Sequence, residues 1–246
     1  MSLGPSIQVC RLGRISYLEA WALQKELSDL RKRNLVSDCL LLIEHPHVIT
    51  YGRNVGAGSL LFDENSLNEQ GVELVESDRG GDATYHGPGQ LVAYPIIDLK
   101  VDMQDVRKYV WTLEECMLSV MADYEISGER LEGAPGAWLK AQDLGEIDRK
   151  MGAVGVRLSR WVTHHGIGFN VNTDLSFFKL IVPCGLVDKG VTSLQRELGR
   201  TLDFREVQDH FIKHFSRLFN RQVTELSYPE LSQLIQDAHA SVEEPS

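Results

Sequence analysis

Three stretches of this chain carry residue types that could do covalent chemistry. The run Phe178-Lys-Leu-Ile-Val-Pro-Cys-Gly-Leu186 sets Cys184 in a Pro-Cys-Gly turn. Lys150 stands ahead of a small-residue run, Met-Gly-Ala-Val-Gly155. Upstream lies a glycine-lined loop, Arg79-Gly-Gly-Asp-Ala-Thr-Tyr-His-Gly-Pro-Gly-Gln90. A cysteine attacks as its thiolate, and a nearby ammonium is one way to form that thiolate at neutral pH. Turn residues sit at surfaces and clefts more than core residues do, and paired glycines let a backbone come close to a ligand. Together the three stretches point to covalent acyl chemistry.

Each stretch read alone is weaker. Arg79 supplies a fixed cation, Tyr85 an aromatic wall and His86 a switchable polar group. The same loop is also an ordinary hairpin with turn glycines. No Gly-Lys-Ser/Thr follows it, so it is no Walker loop, and it is not a dinucleotide fingerprint either. Lys150 by itself reads as a solvated lysine beside a buried strand. Cys10, Cys39 and Cys116 read as small buried hydrophobes. Cys184 differs by its turn and by the helix start at Thr192-Ser-Leu-Gln195. A fourth stretch, Thr163-His-His-Gly-Ile-Gly168-Phe-Asn170, could line a cleft. On a strand, His164 and His165 would face opposite ways, and no spaced Cys/His/Asp cluster joins them or His45 and His47, so no metal site is expected.

The elements that must position these residues follow from pattern. Ser16 and Glu19 form a capping box that opens a helix to about residue 34, with Leu18, Trp21, Ala22, Leu27 and Leu30 near helical spacing. Strands are predicted over residues 39–43, 48–51, 72–76, 91–97, 136–139, 147–158 and 167–172. Helices are predicted over residues 63–70 and 105–124. A third begins at Asp203 and turns Val207, Phe211, Phe215 and Leu218 inward. Residues 240–246 read as a frayed tail. Strands clustered in the middle, with helices before, between and after, predict an α+β sandwich over one domain, residues 1–246.

Composition narrows the function. The chain of 246 residues is 43% hydrophobic and 24% charged, ordinary for a globular protein able to bury a core. A net charge of −10 argues against a nucleic-acid binder. No apolar run approaches a membrane span, and the first residues lack a signal-peptide pattern. Four scattered cysteines fit a reducing compartment, so a cytoplasmic location is expected.

Taken together, these segments resemble the lipoyl(octanoyl) transferases, which move octanoyl groups from acyl carrier protein onto lipoyl domains. The resemblance covers about residues 9–219. It is strongest at Glu44-His-Pro46, the Arg79 loop, Lys150 to Gly155, His165 to Asn172, and Pro183-Cys-Gly-Leu186. It implies a compact α+β fold related to biotin protein ligases and lipoate-protein ligases. By the resemblance, Cys184 is the acyl-accepting cysteine and Lys150 its partner lysine. Three segments would bind substrate: Arg79, Gly80, Gly81, Asp82, Ala83, Thr84, Tyr85 and His86; then Ala153, Val154 and Gly155; then His165, Gly166, Ile167 and Gly168. The family more often has alanine at the positions of Gly152 and Gly168, and both changes keep the site small.

The implied reaction is ping-pong acyl transfer without a cofactor. Octanoyl-acyl carrier protein would load Cys184. A lysine on a lipoyl domain, in a 2-oxoacid dehydrogenase or the glycine cleavage H protein, would then take the acyl group. Two other functions are consistent with parts of the sequence. An ATP-dependent lipoate-protein ligase also has an Arg-Gly-Gly loop and a lysine, but needs no cysteine nucleophile. A non-catalytic module that binds lipoyl domains would keep the groove and leave Cys184 unreactive.

Overall fold

The computed structural model describes residues 4–52, 63–143, 146–181 and 189–243. The first strand, β1 (Ser6–Arg14), leads to helix α1 (Tyr17–Lys32). Strands β2 (Asp38–Glu44) and β3 (Val48–Tyr51) follow, then α2 (Glu64–Glu69), β4 (Glu73–Glu76), β5 (Thr84–His86) and β6 (Gln90–Ile96). Helix α3 (Val106–Asp123) precedes β7 (Glu129–Leu131), β8 (Ala134–Leu139), β9 (Arg149–Ser159) and β10 (Val162–Asn170). A 3-10 turn (Leu175–Leu180) comes before β11 (Gly190–Val191), α4 (Leu194–Leu198), α5 (Phe204–Phe219), β12 (Gln222–Leu226) and α6 (Tyr228–Glu243).

Among the described residues, the strands form two sheets. The larger runs in the order β12-β1-β2-β6-β10-β9-β8-β7, with β11 also paired to β9. The smaller runs β4-β3-β5. Pairing in the large sheet is parallel from β12 to β2 and antiparallel from β2 to β7, with β11 parallel to β9. This is the α+β arrangement expected, not a repeating βαβ unit.

Strand alternation builds both layers of core. On β2, Leu40 and Leu42 face one side, while Cys39, Leu41 and Ile43 face the other. On β6 the same split separates Leu91 and Ala93 from Val92, Tyr94 and Ile96. Successive strand side chains point to opposite faces, and a sheet covered on both faces reads as a continuous apolar run. Helices α3 and α5 cover the first side through Leu113, Met117, Phe211 and Phe215. Helices α1 and α6 cover the second through Leu27, Leu30, Leu231 and Ile235.

The structure corrects several expectations. Ser16 does close its capping box with Glu19, but the inward face of α1 is Tyr17, Ala20, Gln24, Leu27, Ser28 and Leu30. Leu18 is 50% exposed and Ala22 is exposed. The cause is that polar-tipped Tyr17 and Gln24 point inward, so apolar spacing alone set the face about one residue off. Phe219 is buried on α5, whereas Leu218 is only partly so. Residues 240–243 continue α6 rather than fray.

Candidate active site

Strands β9 and β10 run side by side, with Ala153 opposite Gly168, Val154 opposite Ile167 and Gly155 opposite Gly166. Ala153 and the three glycines leave room above the sheet, and a pocket occupies it. A methyl group on Gly166 would run into the Ala93 carbonyl, so this close packing against β6 requires glycine. One added on Gly155 would sit 3.2 Å from both Arg79 Cδ and Gly80 O. The β9 backbone is thus pressed against the Arg79 loop, which Gly80 fixes by donating to Val156 O at 3.0 Å.

Most of the expected binding residues line this pocket. Arg79, Gly81, Asp82, Ala83, Thr84 and His86 do, as do all of Ala153, Val154, Gly155, His165, Gly166, Ile167 and Gly168. Gly80 and Tyr85 are not among the lining residues. On β5 the side chains alternate, so Thr84 and His86 face the pocket and Tyr85 faces away. Tyr85 is fully buried, hydrogen-bonded to His47 Nδ1 at 2.7 Å and stacked on Phe177 with ring centroids 5.2 Å apart. The aromatic wall expected of Tyr85 is instead a core contact. Trp138, Tyr17, Tyr94 and Phe178 supply aromatic lining that sequence reading missed.

Lys150 lies on β9, half-buried, with its Nζ 4.7 Å from the Trp138 ring centroid. It pairs with Trp138 on β8 and with Val191 on β11. A cation over an indole face is held electrostatically. Lys189 also lines the pocket and is ion-paired to Asp148 at 2.5 Å. Pro183, Cys184, Gly185 and Leu186 lie outside the described residues. Phe178 on one side of them and Lys189 on the other both line the pocket. The other three cysteines are buried, and burial pushes the Cys10 thiol up to about 11 and Cys39 up to about 12. They are therefore poor nucleophiles at neutral pH.

Burial lowers the pKa of the pocket histidines His86 and His165 and of their neighbour His45. His86 is pushed down to about 3, chiefly by desolvation. Its Nδ1–H donates to Gln90 Oε1 at 2.6 Å. Gln90 Nε2 donates to Asn170 Oδ1 at 2.9 Å, and Asn170 Nδ2 donates to Thr192 O at 3.0 Å. The chain of bonds ties β5, β6 and β10 to the residue that follows β11. His45 donates to Ile15 O and accepts from Tyr94, and desolvation lowers it to about 4.

His164 and His165 do not face opposite ways. His165 has φ of 56°, outside the strand region, and both rings reach Asp78. His165 Nε2 lies 2.8 Å from Asp78 Oδ1, and His164 Nε2 lies 3.7 Å from Oδ2. A positive φ breaks the two-residue alternation that the expectation assumed. Such strain at a non-glycine residue is common beside functional sites. Burial lowers the His165 pKa despite the partner carboxylate. Asp78 is lowered well below the usual carboxylate range, first by its hydrogen bond to His165.

Arg79 is fixed more firmly than its sequence shows. Its Nε–H donates to Thr50 Oγ1 at 3.1 Å, Nη2 to Thr50 O at 2.6 Å and Nη1 to Gly80 O at 3.1 Å. The small sheet therefore holds the pocket's arginine, because Thr50 lies on β3.

A mostly apolar pocket with Lys150 in its lining, set between strands β9 and β10 and the Arg79 loop, is suited to an acyl chain. The family model described as the lipoyl protein ligase A/B catalytic domain matches residues 16–216. An octanoyltransferase of Koribacter versatilis is 47% identical over 219 residues, covering 88% of this chain and 86% of its own. The octanoyltransferase of Myxococcus xanthus is 44% identical over 88% of this chain, which spans 60% of that longer relative. An archaeal bi-partite lipoate protein ligase from Thermoplasma acidophilum superposes with a TM-score of 0.72 at 14% identity, covering 95% of this chain and 92% of its own. At that identity the likeness shows the fold alone. The chain belongs to the octanoyltransferases, acyltransferases within the lipoyl protein ligase A/B catalytic domain family.

Proposed function

We propose that this chain, acting as a single catalytic domain, carries an octanoyl group from octanoyl-acyl carrier protein to a lysine of a lipoyl domain, with Cys184 holding it in between as a thioester. The observation that carries this reading is Lys150, half-buried over Trp138 and lining the same pocket as residues 153–155 and 166–168. The acceptors would be the lipoyl domains of 2-oxoacid dehydrogenases and the glycine cleavage H protein. A reactive thiol needs a reducing compartment, which makes the cytoplasm the proposed location. No helix among the described residues is long and apolar enough to cross a membrane.

The steps balance around one proton. Lys150 takes the Cys184 proton as the sulfur attacks the thioester carbonyl. It then gives that proton to the carrier thiolate as the old carbon–sulfur bond breaks. Lys150 is neutral again, and removes a proton from the acceptor lysine as its nitrogen attacks the octanoyl-Cys184 carbonyl. The Cys184 thiolate leaves and takes that proton from Lys150, restoring the starting enzyme; an amide remains, so no ATP is consumed. His86 and His165 are assigned to shaping the pocket, because burial lowers His86 to about 3 and makes it a weak base, and Asp78 orients His165.

The test is intact mass spectrometry after mixing the enzyme with octanoyl-acyl carrier protein and no acceptor. The expected result is a gain of one octanoyl unit on Cys184. Hydroxylamine should remove it, and so should an added lipoyl domain. Transfer on mixing all three components, with no adduct at single turnover, would mean direct transfer and would remove the nucleophile role from Cys184. Transfer that requires ATP would mean a ligase.

A further inference from the structure

Helix α5 carries His210 and His214 one turn apart, so both rings leave the same face. That face meets the end of α3. His210 Nδ1 and His214 Nε2 lie 2.5 Å and 2.7 Å from the same oxygen, Asp123 Oδ2. The three ligand-type atoms fall within 4.8 Å of one another. Asp123 is the last residue of α3, where its charge adds to the negative end of the helix dipole. Glu206 adds a second carboxylate, 3.7 Å from His210 Nε2. The spot is therefore electronegative and held from two helices. The side chains of Asp123, His210 and His214 are 12% to 29% exposed, open to an ion yet not free to wander.

We propose that Asp123, His210 and His214 bind one divalent transition-metal ion of the zinc class and pin the end of α3 to α5. Two histidines at this spacing on one helix face are a known zinc-binding arrangement. Imidazole nitrogen and carboxylate oxygen are zinc ligands at about 2.0–2.2 Å, so Asp123 Oδ2 need retreat by only about 1 Å from each nitrogen to admit the ion. Three protein ligands leave one tetrahedral position for water. The residue after His210 is Phe211, not the glutamate of a hydrolytic His-Glu-x-x-His helix, so the site clamps and does not hydrolyse. Arg217 Nη2 sits 3.3 Å from His214 Nδ1 and 3.4 Å from Ser119 Oγ. When the ion takes Nε2, the remaining proton moves to Nδ1 and Arg217 turns to Ser119. None of the three ligands lines the pocket, so the site is independent of the acyl-transfer reading.

The test uses the full chain without a histidine tag, stripped with chelator under reductant and titrated with Co2+ and then Zn2+. One ion per chain should bind, with the weak visible bands of a nitrogen–oxygen cobalt site. Zinc at 100 times its Kd should raise Tm by about 5–10 °C. His214→Gln and Asp123→Asn should each weaken binding at least tenfold, with metal-free transferase activity at the parent level. A Kd weaker than about 1 mM would overturn the proposal. So would unchanged affinity in both variants, which would put the ion at Asp78, His164 and His165. An intense sulfur-to-cobalt band would put it on a thiol and also overturn it.

Discussion

A lysine amine can hold a proton or release it, and the proposed cycle uses Lys150 both ways. Arginine keeps the charge but stays protonated in a protein. Lys150→Arg should therefore fail nearly as badly as Lys150→Ala, each losing about 10²–10⁴-fold in kcat. Full activity in the arginine variant would reduce Lys150 to a counter-charge. The buried histidines give a second residue-scale expectation. Desolvation is the main cause that lowers His45 to about 4, His86 to about 3 and His164 to about 4. In the unfolded chain each would titrate near 6.5. Above that pH both states are neutral and these groups add no pH dependence. As pH falls from about 6.5 to about 4, the unfolded chain takes up protons that the folded chain refuses. Stability should drop by up to about 1.4 kcal/mol per pH unit for each histidine. Thermal melts across that window should show a steady fall in Tm, and a flat profile would mean the imidazoles are hydrated.

Elements with strong caps or long apolar runs were legible, and those made by tertiary context were not. Ser16, Asp63, Asp105 and Asp203 each cap the helix that the sequence predicts there. The core strands β2, β3 and β6 sit within a residue of expectation. By contrast β1, β12 and α6 were not foreseen. Strand β12 is a mostly exposed edge that gains its hydrogen bonds only by lying parallel to β1. In the site, the Arg79 loop and the glycine strands were legible as motifs. Tyr17, Tyr94, Trp138 and Phe178 were not, since an isolated aromatic carries no spacing signal. His210 and His214 share a helix with the expected inward residues, but only the fold brings Asp123 to them. Helix α6 seals the second core layer through Leu231, Ile235 and Ala238. Leu231 is 1% exposed, so Leu231→Ala should cost about 2–4 kcal/mol. Denaturant melts should show that loss, while transfer at low temperature stays at the parent rate, because α6 does not line the pocket.

At the scale of the whole molecule, charge sets how partners arrive. The chain carries a net charge of −10, and acyl carrier proteins of the proposed donor class are acidic, so overall repulsion must be overcome locally. Several basic side chains are already engaged. Arg31 is ion-paired to Asp38 at 2.8 Å, Lys32 to Asp29 at 2.9 Å and Arg157 to Asp78 at 3.2 Å. Asp38 in turn holds Arg221, which also binds Asp102, a largely buried network that does structural work. Arg33 and Arg160 are exposed. Each is two residues in sequence from a residue that meets Asp98: Arg31 ion-pairs with it at 3.9 Å, and Val162 bridges to it. If these two arginines steer the carrier, its association rate should fall about tenfold between 50 and 300 mM salt. Arg33→Glu with Arg160→Glu should lower the rate at low salt and flatten its salt dependence, leaving single-turnover acylation from the bound complex unchanged. Stopped-flow measurement of both enzymes across the salt series decides it. An unchanged slope in the double variant would move the docking patch elsewhere, and a salt-independent rate in the parent would mean that the carrier finds the pocket by shape alone.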